Sequence, residues 1–293
     1  MFLRPPSLRA GSLVAVVAPS SPAHREELFR GLAWLRTRYR LHVPQGALQR
    51  TGYLAGADAD RAADLASALS DPAVEAIICS RGGYGAMRIL RDVAWADFEK
   101  RPKWLVGFSD VTALHAVING KNVCSIHAPN VTGLGRTITP WERYTLLESL
   151  EVERAPRAWA DLDVIHPGDA EGEVVGGNLA LLASMAAAGA LHVPPSSILA
   201  IEDIAERPYR IDRMLTSLAL GGYLARVSGI VFGSFTQCDP GPDGVTVRDV
   251  LADTTRSLGI PVLAGAPFGH GAPNESFILG RRACIRKTTL DWQ

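Results

Sequence analysis

The sequence predicts an α/β protein with an N-terminal domain built on a parallel sheet and a smaller, mixed α/β C-terminal domain with a curved sheet. Three features lead to this prediction. In the first half of the chain, apolar segments of strand length alternate with segments of helical periodicity. Between Glu151 and Asp169 this alternation stops in a charged stretch that contains proline. Beyond it, strand and helix patterns resume with more glycine and with short apolar segments.

In the first half, each predicted strand is followed by a predicted helix. The strands are expected at LVAVVAP (13–19), VEAIICS (74–80), WLVGFS (104–109) and VCSIHAP (123–129), and the helices around 26–32, 84–90, 111–117 and 141–150. This alternation favours a parallel sheet with helices on both faces, of the flavodoxin or Rossmann type. Ligands bind such sheets at the carboxyl ends of the strands. Those ends hold Ser20, residues 80–83, Ser109 and His127.

The charged stretch predicts a domain boundary. We expect an N-terminal domain over residues 1–150, a linker over 151–170 and a C-terminal domain over 171–293. The predicted elements of the last part are GEVVGGN with a helix to Leu191, SILAIEDIA, a helix from PYRIDRML, VSGIVFGSF, a helix near Val247 and short apolar segments up to Trp292.

Composition and charge exclude several classes of function. The 293 residues, 47% of them hydrophobic, are enough for one large or two ordinary cores. Thirty Lys and Arg residues balance thirty Asp and Glu residues, so no overall field would attract nucleic acid or an anionic membrane. A small or neutral ligand fits better. The start MFLRPPSLRAGS has no signal-peptide core, and no stretch reaches the ~20 apolar residues of a membrane span, so we expect a cytoplasmic protein.

The four cysteines are far apart, and none forms a C-x-x-C pair, as is typical of a reducing compartment; they are Cys79, Cys124, Cys238 and Cys284. The sequence also has no H-E-x-x-H motif and no clustered His and Cys spacing. We therefore expect neither a metal nor another cofactor.

Ser109 lies at a predicted strand-to-helix turn in LVGFSDVTALH (105–115), where two interpretations are open. Serine is a favoured helix N-cap. The unpaired N–H groups at a helix start also stabilise an oxyanion, so the serine could be a nucleophile. The G-x-S-x-G pattern of such nucleophiles is only half met, because Val111 replaces the second glycine. His115 is not the base, since six helical residues correspond to about 9 Å of rise and roughly 240° of rotation.

Other candidate groups also follow predicted strands. The SRGGYG segment (80–85) is a plain tight turn, an oxyanion donor or a phosphate loop, although the P-loop pattern is missing. Glu202 and Asp203 end a strand that looks buried, where they are solvated turn acids or include a carboxylate that orients an imidazole. His270 lies between glycines in an approachable loop. His127 is its rival, although a core or site-lining histidine is the simpler interpretation.

Several of these stretches together resemble a known family. The segments TGYLAGADADRAADL, IICSRGGYGAMRIL, GFSDVTALH, GGNLALL, AIEDIAERPYRIDRML, VSGIVFGSF and PFGHG, in this order and spacing, are similar to the LD-carboxypeptidase family of serine peptidases. That family includes murein tetrapeptide carboxypeptidases and microcin-immunity peptidases. The resemblance implies a catalytic triad of Ser109, Glu202 and His270 in an interdomain cleft. It also implies an oxyanion hole formed by the backbone N–H groups of Gly83 and Asp110.

The function that the resemblance implies is hydrolysis of an L,D-peptide bond. A terminal D-amino acid, expected to be D-alanine, would be released from a murein tetrapeptide during cell-wall recycling. Such an enzyme must also bind a free carboxylate, for which a guanidinium is well shaped. Arg81 is the candidate because of its position in the SRGGYG loop. The expected partners are a muropeptide substrate and a second copy of the chain, with no nucleic acid and no membrane.

Two alternatives remain from the sequence. One is an amidase that inactivates aminoacyl-nucleotide antibiotics of the microcin type with the same triad. The other is a catalytically inactive protein that binds muropeptides. Two segments depart from the family pattern: GALH follows the GGN helix where glycine-threonine is usual, and FILG stands where P-[IL]-G is usual. Neither includes a triad residue, so the departures concern only substrate contacts.

Overall fold

The computed structural model describes residues 2–136 and 138–293, which form two compact units. The first unit contains the chain up to Arg154 together with the short segment Glu275–Ile278. The second contains Ala155–Asn274 and Leu279–Gln293. The division into an N-terminal domain over 1–150, a linker over 151–170 and a C-terminal domain over 171–293 stays a prediction.

Strands and helices alternate along most of the described chain. The strands are β1 (Leu13–Val17), β2 (Arg40–His42), β3 (Ala76–Cys79), β4 (Trp104–Gly107), β5 (Ser125–His127), β6 (Asp163–His166), β7 (Ala170–Asn178), β8 (Ile198–Ile204), β9 (Gly229–Thr236), β10 (Val262–Ala264), β11 (Phe277–Leu279), β12 (Arg282–Arg286) and β13 (Thr289–Trp292). The helices are α1 (Arg25–Arg36), α2 (Asp58–Ser70), α3 (Ala86–Ile89), α4 (Ala96–Lys100), α5 (Thr112–Gly120), α6 (Val131–Leu134), α7 (Pro140–Glu151), α8 (Leu179–Ala187), α9 (Pro208–Leu220) and α10 (Val247–Thr255).

The sheet of the first unit has the order β11-β5-β4-β3-β1-β2, and β1 to β5 pair in parallel. This confirms the predicted parallel sheet. Val17 pairs with Cys79, and Gly107 pairs with His127, so the carboxyl ends of β1, β3, β4 and β5 lie at one edge. Strand β2 was not predicted, and neither was the place of β11 in this sheet. The first is three partly exposed residues, and the second comes from a distant part of the chain.

The core of this unit packs helices against strands that are buried on both faces. Leu28, Leu32 and Leu35 of α1 are buried in one cluster with Val14 and Val16 of β1. Full burial of one such side chain contributes about 1.5–3 kcal/mol. Strands that are buried on both faces must be apolar throughout, which explains the continuous apolar runs of β1, β3 and β4. The loops at the carboxyl edge of the sheet are therefore attached to well-packed strands.

The sheet of the second unit is mixed, with the order β13-β12-β7-β8-β9-β10-β6. Strands β7 to β10 pair in parallel, whereas β6, β12 and β13 join antiparallel. The sheet is curled, which confirms the predicted mixed α/β unit with a curved sheet.

Strand β6 lies inside the segment 151–170 that the sequence analysis assigns to a linker. It pairs with β10, so part of that segment belongs to the sheet. Its four residues are largely exposed at the sheet edge and are surrounded by charged residues and prolines. A short edge strand of this kind has little apolar signal, which explains why the sequence pattern did not reveal it.

Candidate active site

Ser109 lies at a sharp turn between β4 and α5. It follows Phe108 and starts a 3-10 turn that ends at Val111. Its φ of +66° is in the left-handed region, which costs a residue with a side chain about 1–3 kcal/mol. The 3-10 turn has Phe108 at its N-cap and α5 has Val111, so Ser109 caps neither. The helix bounds therefore do not place Ser109 at a helix N-cap, and such strain in a serine is typical of functional sites.

Side chains from neighbouring elements hold the backbone before Ser109. Phe108 donates its N–H to Asn130 Oδ1 (3.3 Å). His115 donates from Nε2 to the carbonyl of Gly107 (2.9 Å), because a carbonyl can only accept, and its Nδ1 accepts from the Ser125 hydroxyl (2.8 Å). Burial lowers the pKa of His115 to about 4, so the ring is neutral at pH 7. His115 is thus a structural histidine, as predicted.

The SRGGYG loop approaches Ser109 closely because it contains glycines. A Cβ on Gly82 would lie only 2.9 Å from the Cβ of Ser109 and 3.1 Å from its Oγ. Gly83 has a φ of +102°, and a Cβ there would lie 2.5 Å from Ser21 Oγ. Ser21 Oγ accepts the backbone N–H of Tyr84 (3.1 Å). The two glycines therefore let the loop pass between Ser21 and Ser109.

A buried arginine holds the end of this loop. Arg61, on α2, donates from Nη1 to the carbonyl of Gly85 (3.0 Å) and to that of Pro19. Its Nη2 pairs with Asp58. Arg61 was not singled out from the sequence. The available signal was a charged residue at a position of TGYLAGADADRAADL that the helical period places among buried alanines and leucines.

The structure also gives contacts for Asp110 and Arg81. Asp110 is buried, and its Oδ2 accepts the N–H of Ala86 (2.8 Å), which ties the Ser109 turn to the loop. Burial raises the pKa of Asp110, and the bond from Ala86 partly opposes this rise. Arg81 is half-buried and donates from Nη1 to the carbonyl of Pro22 (2.8 Å). This contact is internal to the protein, and the role of Arg81 in substrate binding stays a prediction.

In the second unit, Glu202 and Asp203 lie within β8. Ile201 pairs with Phe232 but Asp203 pairs with Phe235, so two residues of β9, Gly233 and Ser234, lie opposite Glu202, as in a β-bulge of β9. Bulges re-aim side chains and are common beside active sites. Both carboxylates are buried, with exposed fractions of 0% and 2%. The interpretation as solvated turn acids is therefore wrong.

His270 forms a hydrogen bond with Glu202. Its Nδ1 lies 2.7 Å from Oε2, and the histidine side chain is 16% exposed while that of the glutamate is fully buried. Because a carboxylate accepts, Nδ1 carries the proton and Nε2 is the basic nitrogen. Gly269 makes this approach possible, because a Cβ there would lie 2.9 Å from both Cβ and Oε2 of Glu202. The pair has the geometry of a general base and the acid that orients it.

Asn178 supports both carboxylates, and the sequence analysis missed it. Its Nδ2 donates to Glu202 Oε1 (3.3 Å) and to Asp203 Oδ1 (2.9 Å). Its Oδ1 caps α8 by accepting the N–H of Leu181 (3.2 Å). Asp203 Oδ2 accepts the N–H of Ala180 (3.0 Å), and burial raises the pKa of Asp203 to about 6. The available signal was an asparagine directly before a predicted helix, in GGNLALL.

Two further side chains hold the loop that carries His270. The N–H of Gly269 donates to Asn274 Oδ1 (3.1 Å), and the N–H of Gly271 donates to Ser234 Oγ (2.9 Å). His270 thus lies between two glycines whose backbone N–H groups are both hydrogen-bonded. Neither Asn274 nor Ser234 was singled out from the sequence.

His127, the rival histidine, is fully buried at the end of β5. It stacks on Phe277 at 4.9 Å between ring centroids and meets Phe108 edge-on at 5.7 Å. This environment fits the interpretation as a core histidine.

All four cysteines are buried thiols.

Residues 2–136 and 138–293 lack two kinds of structural feature. No helix there is long and apolar enough to cross a membrane. No group of three or more His, Cys, Asp or Glu side chains in the same residues is arranged to hold a metal ion.

Comparison with known proteins relates both units to one family. Residues 14–128 match the LD-carboxypeptidase N-terminal domain, and residues 171–285 match the LD-carboxypeptidase C-terminal domain. The murein tetrapeptide carboxypeptidase of Pseudomonas aeruginosa is 33% identical over 290 residues, which cover 95% of this chain and 94% of that protein.

Solved structures share the fold. The muramoyltetrapeptide carboxypeptidase from Oxalobacter formigenes matches with a TM-score of 0.86 and 28% identity over 96% of this chain and 97% of that chain. The microcin C7 self-immunity protein MccF, in complex with aspartyl sulfamoyl adenosine, matches with a TM-score of 0.89 and 22% identity over 99% of this chain and 98% of that chain. The second likeness shows a common fold alone.

Proposed function

Because the chain belongs to the LD-carboxypeptidase family of serine peptidases, we propose that it is a cytoplasmic carboxypeptidase that removes the terminal D-alanine from murein tetrapeptides during wall recycling. The observation that carries the proposal is the 2.7 Å hydrogen bond between His270 and Glu202. It supplies an oriented general base, which the strained Ser109 requires in order to act as a nucleophile. Names of relatives support the substrate: the P. aeruginosa protein is a murein tetrapeptide carboxypeptidase. In the substrate named for the O. formigenes protein, a muramoyl sugar is joined to the peptide.

The proposed mechanism uses Ser109, His270 and Glu202 as one triad. His270 Nε2 takes the hydroxyl proton as Ser109 Oγ attacks the carbonyl carbon of the L,D-peptide bond. Glu202 keeps Nδ1 protonated and stabilises the imidazolium. The backbone N–H groups of Gly83 and Asp110 hold the tetrahedral oxyanion. The imidazolium then gives its proton to the departing D-alanine nitrogen, and water attacks the acyl-enzyme with His270 again as the base.

An exopeptidase must also recognise the terminal carboxylate, and Arg81 is the proposed ligand. A guanidinium has five N–H donors, and the contact with the Pro22 carbonyl uses one of them. That contact fixes the arginine beside the glycine loop while further donors can pair with a carboxylate. Arg81→Lys should therefore raise KM more than it lowers kcat.

Mass spectrometry of a defined L-Ala–D-Glu–diaminopimelate–D-Ala peptide tests the proposed activity. We expect the wild type to release D-alanine, and Ser109→Ala to lower kcat by about a thousandfold or more with an unchanged circular dichroism spectrum. Ser184→Ala, an exposed serine on α8, is the matched control. A Ser109→Ala enzyme that keeps more than about a tenth of the turnover would contradict the assignment.

The second candidate is hydrolysis of an aminoacyl nucleotide analogue by the same triad, because MccF, which shares the fold, has been solved with aspartyl sulfamoyl adenosine. The same assay with an aspartyl sulfamoyl nucleoside distinguishes the two. Cleavage of that compound, with no cleavage of the murein peptide, would replace the proposed substrate. Binding of the murein peptide without acylation of Ser109 would instead indicate an inactive muropeptide-binding protein.

We also propose a homodimer. The zero net charge lets copies associate without long-range repulsion. Light scattering should give twice the 31.4 kDa chain mass at micromolar concentration. A monomer mass throughout that range would contradict this prediction.

A further inference from the structure

Two exposed tyrosines contact each other in the first unit. Tyr53 is 64% exposed and Tyr84 is 48% exposed, and their ring centroids lie 5.8 Å apart at an interplanar angle of 55°. Paired aromatic rings that stay open to solvent form an apolar patch of a kind that marks binding surfaces. The proposed catalytic groups do not include either ring.

Ordered backbone presents both rings. Thr51 and Leu54 exchange backbone hydrogen bonds of 2.8 and 3.1 Å, which closes a tight turn with Gly52 in the left-handed region and Tyr53 at its tip. Tyr84 is held by the bond from its N–H to Ser21 Oγ. The pair is therefore built from two fixed turns.

The position of Tyr84 relates the pair to the nucleophile. Gly82 lies against Ser109, and Tyr84 is two residues further along the same loop, so its Cα is at most about 7 Å from that of Gly82. In an extended tetrapeptide, the three residues before the scissile bond span about 10 Å. The amino-terminal end of a bound peptide can thus reach the tyrosines while the scissile carbonyl is at Ser109.

We propose that Tyr53 and Tyr84 form a saccharide subsite that stacks on the sugar ring joined to the amino-terminal end of the muropeptide. This inference rests on the proposed function. The peptide itself is acidic, the two rings are uncharged, and Arg88, which interacts with Tyr84, is already paired with Asp58. A pyranose is neutral, and its C–H face packs on an aromatic ring while its hydroxyls can bond to the tyrosine O–H groups.

Calorimetry in the Ser109→Ala background tests the subsite without turnover. The probes are the defined tetrapeptide and the same tetrapeptide carrying N-acetylmuramic acid. We expect the sugar to tighten binding, and Tyr53→Ala to raise the Kd of the sugar-bearing peptide about fivefold while changing that of the free peptide less than about twofold. Tyr144→Ala is the matched control, because Tyr144 is 44% exposed and stacks on Trp141 in the same unit.

The possible outcomes separate the subsite from the proposed reaction. Equal affinity for the two peptides, or equal losses for both in Tyr53→Ala, would overturn the subsite. A loss of the same size in Tyr144→Ala would also overturn it. A selective loss supports the subsite, even if the wild type fails to hydrolyse either peptide, in which case only the proposed reaction fails.

Discussion

Gly82 offers a direct test of the arrangement around Ser109. Its φ is outside the left-handed region, so Gly82→Ala fits the backbone and should remove some entropy from the unfolded chain. The added methyl group would, however, lie 2.9 Å from the Cβ of Ser109 and 3.2 Å from the carbonyl oxygen of Phe108. Rotation about χ1 moves the Oγ of Ser109 but not its Cβ. Relief therefore requires a backbone shift of the loop or of the turn.

The size of that shift sets the expected effect. Carbon atoms in contact lie about 3.5–4.0 Å apart, so the two segments must separate by roughly 0.6–1 Å. Overpacking of this kind costs about 1–3 kcal/mol of stability. A misplacement of about 1 Å at a reacting group costs about a hundredfold in rate. We therefore expect kcat to fall about a hundredfold in a variant that is still folded.

The assay is steady-state release of D-alanine together with thermal unfolding. Gly241→Ala is the matched control, because a Cβ there would meet only ordinary contacts of 3.5 Å or more with the Asp243 carboxylate. Its kcat should equal that of the wild type. The reasoning would be refuted by a Gly82→Ala enzyme that keeps more than about a third of the wild-type kcat, since the required shift exceeds what catalysis tolerates.

Two further predictions concern other residues. Glu202→Gln should lower kcat by a large factor, because the glutamine favours the wrong tautomer of His270. The double variant Glu202→Gln/His270→Ala should have nearly the same kcat as His270→Ala alone, since members of a triad act as a unit. If steady-state kinetics show that the two losses add, the two residues do not share a role. The pKa of His115 is lowered from the ordinary 6.5 to about 4. The contribution of the neutral imidazole to the free energy of unfolding is therefore complete above pH 6.5 and is lost as the pH falls toward 4. Denaturant titrations at stepped pH should show the wild type losing up to about 1.4 kcal/mol per pH unit in this window relative to His115→Gln, and parallel curves would count against the predicted titration.

Much of the fold follows from local sequence patterns. The apolar runs of β1, β3, β4 and β5 carry enough signal to predict a parallel sheet and its ligand-binding edge, because strands buried on both faces must be apolar throughout. Short strands carry less of this apolar signal. β2 and β6 lie at sheet edges and are partly exposed, so burial leaves no mark on their composition.

The residues of the candidate site also fall into those that the sequence predicts and those that it does not. The family motifs identify Ser109, Glu202 and His270 as a triad, which stays a prediction in its assembled form. The supporting residues Arg61 and Asn178 have only indirect signals, since a charged residue in a helical pattern or an asparagine before a helix does not reveal its partner.

The sequence by itself determined the alternation of strands and helices, the strand ends that carry polar groups and the family. Only the tertiary structure decided which groups meet. Residues 277–279 join the first sheet, and His270 bonds to Glu202, which lies 68 positions earlier in the chain. Local periodicity reports which face of an element is buried, whereas a hydrogen bond between distant residues depends on the whole path of the chain. That path also decided that Glu202 and Asp203 are buried together, because it brings the amide of Asn178 to both carboxylates.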